Sequence, residues 1–257
     1  MSGEGSAATG VATRSRWLSC RRPRGAARTR LYCFPHSGGT AGEYLRWADD
    51  LPDTEVWGVN PPGRGGRLDE PPATDLPTLV TSLLNEVDFR APYVLFGHSL
   101  GGIVAFEVAR QLRARGRTGP QRIVLSACPP PHVPRLAPEL AELPDEIFLA
   151  RITDFYHGFL PGVLTDPDLV ALVLPALRAD VMMLERYQWH ADTPVDIPLT
   201  VVGGDRDVFD PALLAEWRQH TTAECATYRL PGGHFYFRED LNRLLALLHD
   251  VLRTATP

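Results

Sequence analysis

The chain has 257 residues, of which 22% are charged and 44% are apolar, the composition of an ordinary globular protein. Its length is near the upper limit for one hydrophobic core, so a single domain is expected. The net charge of −5 argues against a protein that binds nucleic acid or an acidic membrane, because such proteins carry a basic stripe. No apolar run reaches the roughly 18 residues of a membrane span. All 26 basic residues are arginine, which excludes Schiff-base and P-loop chemistry.

The amino-terminal segment differs in composition from the rest. Residues 1–16 are rich in Gly, Ser, Ala and Thr without apolar periodicity, which predicts a disordered tail. The arginine cluster Arg21–Arg30 is not followed by the apolar stretch of a secretory signal, so it is either a solvated surface run, which we favour, or a mitochondrial presequence. The four cysteines form no CxxC pair. We therefore expect a reduced, cytoplasmic protein in which each cysteine is a small core residue and no metal is bound.

From Trp17 onward, short apolar segments alternate with longer amphipathic ones. The predicted strands are Leu31–Phe34, Glu55–Val59, Tyr93–Phe96, Arg122–Ala127, Leu199–Val202 and Ala226–Leu230. The predicted helices are Gly42–Leu51, Asp75–Phe89, Gly101–Arg115 and Glu239–Leu252. Strands that alternate with helices are typical of βαβ units. The pattern therefore predicts an α/β fold, a doubly wound and mostly parallel sheet, for residues 17–257.

Residues 129–197 interrupt this alternation. The segment begins with Pro129–Pro131 and then becomes apolar and helical, and it is far longer than a crossover connection requires. One interpretation is a crossover with additional packing. The other, which we favour, is a helical lid over the carboxyl ends of the strands, where open α/β sheets bind ligands.

Gly97–Gly102 reads GHSLGG and lies between the buried strand Tyr93–Phe96 and a predicted helix. This is a G-x-S-x-G motif in the strand–turn–helix setting that defines a nucleophile elbow. The glycines leave room for a crowded turn, and Ser99 is placed at the helix amino terminus with its hydroxyl exposed. We predict Ser99 as the nucleophile.

A serine nucleophile needs a base and an acid that orients the base, and after an elbow they follow in the order acid, then histidine. His234 follows the strand Ala226–Leu230, and we predict that it is the base. Asp205 and Asp207 both lie in the loop after Leu199–Val202. We favour Asp207, because a side chain further beyond the strand end has more freedom to turn back toward the histidine.

A tetrahedral oxyanion needs two backbone N–H donors. One is expected from Leu100, the residue after the nucleophile, and the other from Ser37 in the glycine-containing loop Phe34–Gly39. His36 and His98 adjoin these positions, and we expect them to pack against the site rather than to react.

Arg64 and Arg67 lie in a Pro- and Gly-rich loop after the strand Glu55–Val59. Two interpretations remain open. The loop is either solvated, or it borders the mouth of the site, where the arginines meet a phosphate or an acidic partner.

Four segments together resemble the type II thioesterases, stand-alone α/β-hydrolases that accompany polyketide synthases and nonribosomal peptide synthetases. These segments are Leu31–Gly39, Pro62–Arg64, Gly97–Gly102 and Pro231–Phe237. The first and last are specific to this family rather than to α/β-hydrolases at large. The resemblance extends from Trp17 through the last helix. Leu100 and Gly102 depart from it, since they stand where methionine and alanine are frequent in the family.

The resemblance implies an α/β-hydrolase fold and hydrolysis of acyl groups from the phosphopantetheine arm of acyl or peptidyl carrier proteins, which frees stalled synthases of aberrant chains. It implies no cofactor, and it makes Arg64 and Arg67 candidate contacts to the carrier or its pantetheine arm. A monomer without nucleic-acid or membrane partners is the default expectation. The alternatives are a small-molecule carboxylesterase, a chain-releasing thioesterase, and an inactive carrier-binding module, which the intact candidate triad disfavours.

Overall fold

The computed structural model describes residues 15–133, 139–156 and 165–255. They form a seven-stranded sheet in the order β1-β3-β2-β4-β5-β6-β7, in which β1 is antiparallel to β3 and all other neighbours are parallel. The strands are β1 Leu18–Cys20, β2 Thr29–Phe34, β3 Thr54–Val59, β4 Tyr93–His98, β5 Arg122–Ser126, β6 Leu199–Gly204 and β7 Cys225–Leu230. The predicted α/β fold with a mostly parallel sheet is confirmed.

Burial along the strands follows their place in the sheet. Every residue of β4 and of β6 is buried, because both strands have neighbours on each side and the sheet is covered on both faces. The edge strand β7 is half-exposed along its length. The continuous apolar run of β4 is thus what a central parallel strand requires.

Outside the long insertion, helices and strands alternate along the chain as predicted. The helices are α1 Gly42–Leu45, α2 Leu76–Glu86, α3 Leu100–Ala114, α4 Asp145–Phe155, α5 Pro167–Arg186, α6 Pro211–Ala215, α7 Tyr236–Glu239 and α8 Leu241–Thr254. Helix α2 begins one residue later than predicted because the Asp75 side chain caps it by accepting a hydrogen bond from the N–H of Thr78.

Two predicted helices differ from the observed elements, and one observed strand has no counterpart in the prediction. The helix expected over Gly42–Leu51 is a single α-helical turn, Gly42–Leu45, continued by a 3-10 turn, Arg46–Asp49. The helix expected over Glu239–Leu252 is divided at Asp240, whose extended backbone separates α7 from α8. Strand β1 was not predicted, since three half-buried residues carry too little periodicity to be recognised.

The long insertion contributes α4 and α5, joined to the core by buried apolar residues of both helices. Phe148 and Ile152 of α4 are buried, as are Leu177 and Val181 of α5. That the segment 129–197 acts as a lid stays a prediction, and parts of it (134–138 and 157–164) lie outside the described residues.

Most of the predicted tail, residues 1–14, also lies outside the described residues. Its last residue, Arg16, pairs with Glu86 at 2.8 Å on the protein surface. In the described ranges, no helix combines the length and the apolar character needed to cross a bilayer. The same ranges contain no group of three or more His, Cys, Asp or Glu side chains that could hold a metal ion.

Candidate active site

Ser99 occupies a strained backbone position between β4 and α3. Its φ of 54° and ψ of −118° are rarely adopted by a residue other than glycine. The Ser99 N–H donates to the carbonyl of Ser126 at the end of β5, at 2.8 Å. A Cβ on Gly101 would lie 2.1 Å from the carbonyl oxygen of Phe34, so this turn tolerates only glycine there. The local geometry is that of a nucleophile elbow.

His234 and Asp207 are in contact. The distance from His234 Nδ1 to Asp207 Oδ1 is 3.0 Å, and both side chains are almost completely buried. Asp205 is directed elsewhere, since its Oδ1 accepts from the N–H of Gly232 at 2.8 Å and its side chain is half-exposed. Of the two acids left open by the sequence, Asp207 is the one beside the histidine.

Ser99 and His234 line one cavity of about 300 Å³. Its other walls are His36, Ser37, Ile152, Tyr156, Leu177, Val181, Leu184 and Phe235. In the described part of the chain, no hydrogen bond joins Ser99 Oγ to the His234 ring. Such contacts commonly tighten only when substrate is bound. The arrangement brings a serine, a histidine and an acid together at the carboxyl edge of the sheet, where all three were expected.

Of the two predicted oxyanion donors, Leu100 follows Ser99 in the chain and Ser37 lines the same cavity as Ser99. The N–H of Leu100 belongs to the first turn of α3, where backbone donors have no acceptor within the helix. Ser37 lies in a turn closed by a hydrogen bond of 2.9 Å from Gly39 N–H to His36 O, and it lines the cavity. The assignment of both donors stays a prediction.

His98 belongs to a buried polar chain that sequence reasoning did not identify. His98 Nδ1 lies 2.8 Å from Ser126 Oγ, which lies 2.7 Å from the hydroxyl of Tyr236. Burial lowers the pKa of His98 well below its usual value, and the neighbouring charge of His234 acts in the same direction. The chain joins β4, β5 and the loop of His234. Only proximity to Ser99 and His234 in the sequence pointed to these positions.

His36 is held between two other groups. Arg238 donates to His36 Nε2 at 3.2 Å, so Nδ1 carries the proton and donates to the Tyr44 hydroxyl at 3.1 Å. Burial, reinforced by the charge of Arg238, lowers the pKa of His36 well below its usual value. The ring is neutral near pH 7 and packs beside the site.

Two aromatic rings that the sequence did not single out cover His234. The Tyr156 ring centroid is 4.4 Å from that of His234, and the Phe209 centroid is 5.8 Å away. Tyr156 follows α4, and Phe209 follows β6, so the insertion and the sheet both contribute to the cover. The imidazole is thereby shielded from solvent.

Arg64 and Arg67 are not at a solvated mouth. Arg64 is buried and forms a two-fold hydrogen bond with Asp180 of α5, while Arg67 is buried against the Trp17 ring and pairs with Glu70. The solvated-loop interpretation is wrong for both guanidiniums, although Gly65, Gly66 and Leu68 of the same loop are exposed. A direct contact from either guanidinium to a docked protein also does not fit, because both already have partners inside this chain.

Comparison with known proteins is consistent across sequence and structure. A family model described as a thioesterase domain matches residues 29–252. Gramicidin S biosynthesis protein GrsT of Aneurinibacillus migulanus is 31% identical over 244 residues, which cover 93% of this chain and 94% of that protein.

Two solved structures of biosynthetic thioesterases superimpose closely. The type II thioesterase BorB of the borrelidin cluster has a TM-score of 0.82 at 30% identity, over 91% of this chain and 96% of BorB. The thioesterase RedJ of the prodiginine pathway in Streptomyces coelicolor has a TM-score of 0.81 at 36% identity, over 88% of this chain and 86% of RedJ. The resemblance to type II thioesterases is thus confirmed, and the chain belongs to the thioesterase family.

Proposed function

We propose that this protein hydrolyses acyl thioesters carried on the phosphopantetheine arm of acyl or peptidyl carrier proteins in a polyketide or nonribosomal peptide pathway. The observation that carries the proposal is the shared cavity of Ser99 and His234, with Asp207 3.0 Å from the histidine ring. Membership of the thioesterase family and the likeness to BorB and RedJ support the choice of a thioester over other acyl substrates.

In the proposed mechanism, His234 removes the proton of Ser99 as its Oγ attacks the thioester carbonyl. The N–H groups of Ser37 and Leu100 stabilise the oxyanion, the pantetheine thiol leaves with the proton from His234, and the acyl group stays on Ser99. A water molecule that His234 deprotonates then attacks the ester, His234 returns that proton to Ser99 Oγ as the acyl–oxygen bond breaks, and the free acid is released. No step requires a cofactor.

The surroundings of His234 favour the charge that it acquires in both steps. Asp207 accepts a hydrogen bond from Nδ1 and stabilises the imidazolium. The rings of His36 and His98 lie nearby, and burial keeps both neutral by lowering their pKa. Neither His36 nor His98 therefore competes with His234 for the proton near pH 7.

The walls of the cavity support a preference for apolar acyl groups. Ile152 of α4 and Leu177 and Val181 of α5 face the same space as Ser99. A preference for short chains is what the resemblance to type II thioesterases implies. In this proposal the insertion 129–197 is the lid under which the pantetheine arm passes.

The deciding experiment measures release of free thiol from a carrier protein loaded with a short acyl group, for wild type and Ser99→Ala. Hydrolysis by wild type and a loss of at least about 10⁴-fold in the variant are expected. Ser19→Ala on β1, remote from the cavity, is the matched control. If Ser99→Ala stays active, Ser99 is not the nucleophile. If wild type does not hydrolyse the loaded carrier, the carrier thioester is not the substrate.

Substrate preference and carrier binding distinguish the proposed function from its alternatives. A carboxylesterase would prefer oxygen esters to acyl-pantetheine thioesters of the same chain, and a chain-releasing thioesterase would prefer long, complete chains to short ones. A carrier-binding module without activity would bind the loaded carrier yet leave the thioester intact. The monomeric state is part of the proposal and is measured by light scattering.

A further inference from the structure

A buried ion pair lies behind the predicted oxyanion turn. Asp180 of α5 and Arg64 of the loop after β3 are both more than nine-tenths buried. Arg64 Nη2 donates to Asp180 Oδ1 at 2.7 Å, and Nη1 donates to Oδ2. The same Oδ2 accepts a third hydrogen bond, from the backbone N–H of Gly38 at 2.8 Å. One carboxylate therefore joins the insertion, the β3 loop and the turn that contains Ser37.

The turn is shaped to make this contact. Gly38 has a φ of +70°, which fits the third residue of a type II turn whose first and last residues are His36 and Gly39. A Cβ on Gly38 would lie 3.4 Å from Leu177, so α5 packs directly on the turn. Leu177 precedes Asp180 by one helical turn, and both therefore lie on the same face of α5.

The hydrogen bonds distinguish three successive backbone donors. Gly39 N–H closes the turn onto His36 O, and Gly38 N–H is taken by Asp180. The N–H of Ser37, at the second position of the turn, takes part in neither of these two hydrogen bonds, and Ser37 lines the cavity with Ser99. The hydrogen bond from Gly38 to Asp180 holds the turn in place while the Ser37 N–H stays available to an oxyanion in the cavity.

The charge of Asp180 would oppose an oxyanion if it stood alone. Like charges in a poorly screened interior repel strongly, and an unpaired carboxylate behind the turn would raise the barrier. The bidentate guanidinium of Arg64 cancels that charge while leaving Oδ2 able to accept from Gly38. A buried ion pair often adds little to the free energy of unfolding. Here its effect is to hold a neutralised acceptor beside the N–H of Gly38, which orients the turn.

We propose that Asp180, neutralised by Arg64, is a positioning residue that orients the Ser37 N–H toward the oxyanion. The proposal rests on the proposed function for the identity of the oxyanion. It assigns the pair a catalytic consequence in place of the docking role expected for Arg64.

The test replaces the pair by apolar residues, Arg64→Met with Asp180→Leu, because a single replacement would bury an unpaired charge and could prevent folding. The matched control is Glu107→Leu with Arg110→Met. That pair is also buried or half-buried, and Glu107 also accepts a hydrogen bond from Tyr187 at the end of α5, remote from the turn. Both double variants remove an ion pair that anchors α5, and only the first contacts Gly38.

Two readouts are taken for each variant. The first is kcat and KM with an acyl-loaded carrier protein. The second is the Kd of an alkylboronic acid, whose tetrahedral adduct with Ser99 carries one negative charge and places a boron-bound oxygen where the oxyanion forms. For the Arg64–Asp180 double variant, we expect kcat to fall on the order of 10- to 100-fold, part of the 10²–10³ that a whole oxyanion donor contributes. KM should change less than about three-fold, and boronate affinity should fall in proportion to kcat.

Arg64→Met with Asp180→Asn supplies the conservative comparison, because it also leaves no unpaired buried charge. The amide oxygen introduced at position 180 can still accept from the N–H of Gly38, so this variant should retain more activity and more boronate affinity than Arg64→Met with Asp180→Leu. The proposal is overturned if Arg64→Met with Asp180→Leu keeps wild-type kcat, if kcat falls while boronate affinity does not, or if the Glu107–Arg110 control loses as much as the test pair. Ser99→Ala separately decides the proposed function. Boronate binding requires no turnover, so the inference stays testable even if the carrier substrate is wrong.

Discussion

The carboxyl edge of the sheet and the insertion above it are built from different kinds of residue. The sheet edge carries polar side chains on short, sharply turned loops, and all three predicted triad residues lie there. The insertion presents an apolar surface from two helices, with Ile152, Leu177 and Val181 against the cavity and one buried acid, Asp180, among them. Under the proposed function, the sheet edge would supply the reacting groups and the insertion would select which acyl groups reach them.

The first prediction concerns the carboxyl edge of the sheet, where a substitution should have the greatest consequence for activity. Asp207→Asn should lower kcat by about 10⁴-fold, because the amide no longer favours the tautomer and the charge that His234 needs. Asp205→Asn is the matched control, since Asp205 contacts Gly232 rather than His234, and its activity should stay within about three-fold of wild type. Steady-state hydrolysis of the loaded carrier decides between them, and a reversal of the two effects would make Asp205 the acid.

A smaller effect is expected on the insertion side. Val181→Ala enlarges the cavity, and we expect kcat/KM for acyl chains one or two carbons longer to rise about ten-fold relative to acetyl, the discrimination typical of a methylene in an apolar pocket. The control is Val108→Ala, a fully buried valine of α3 that does not line the cavity. If both variants change chain-length selectivity equally, the effect is not specific to the cavity wall, and the insertion does not determine which acyl chain is preferred.

The smallest effect concerns stability against pH. Burial lowers the pKa of His36 and of His98, so below about pH 6.5 the unfolded chain binds protons that the folded protein excludes. The contribution of these rings to stability is therefore retained above pH 6.5 and lost as the pH falls below it, at up to about 1.4 kcal/mol per pH unit for each ring. Urea unfolding of His98→Asn between pH 5 and 7 should show a shallower slope than wild type. An unchanged slope would show that His98 does not remain neutral when folded.

Local patterns were sufficient for the sheet and its loops. The apolar run of β4 and the GHSLGG turn that follows it specify a buried strand, a sharp turn and a helix, and the structure has all three. The order of acid and histidine after the elbow also followed from loops that end strands. These features depend on residues close together in the chain, and their physical causes are burial and backbone geometry.

Contacts between distant segments could not be read in the same way. Nothing in the loop of Arg64 indicated that it would be buried against Asp180, 116 positions later, because an arginine beside glycines is equally typical of an exposed loop. The hydrogen-bonded chain from His98 through Ser126 to Tyr236 joins the ends of β4 and β5 to the start of α7, so it depends on the order of the strands.

Short stretches of sequence were enough to specify the α/β class, the elbow at Ser99 and the positions of His234 and the two candidate acids, since each is encoded within a few neighbouring residues. Which acid contacts the histidine, which rings cover it and where the arginines point became visible in the folded chain alone. Those outcomes depend on how separate elements pack, and side chains far apart in the chain acquire their partners only when burial excludes water from between them.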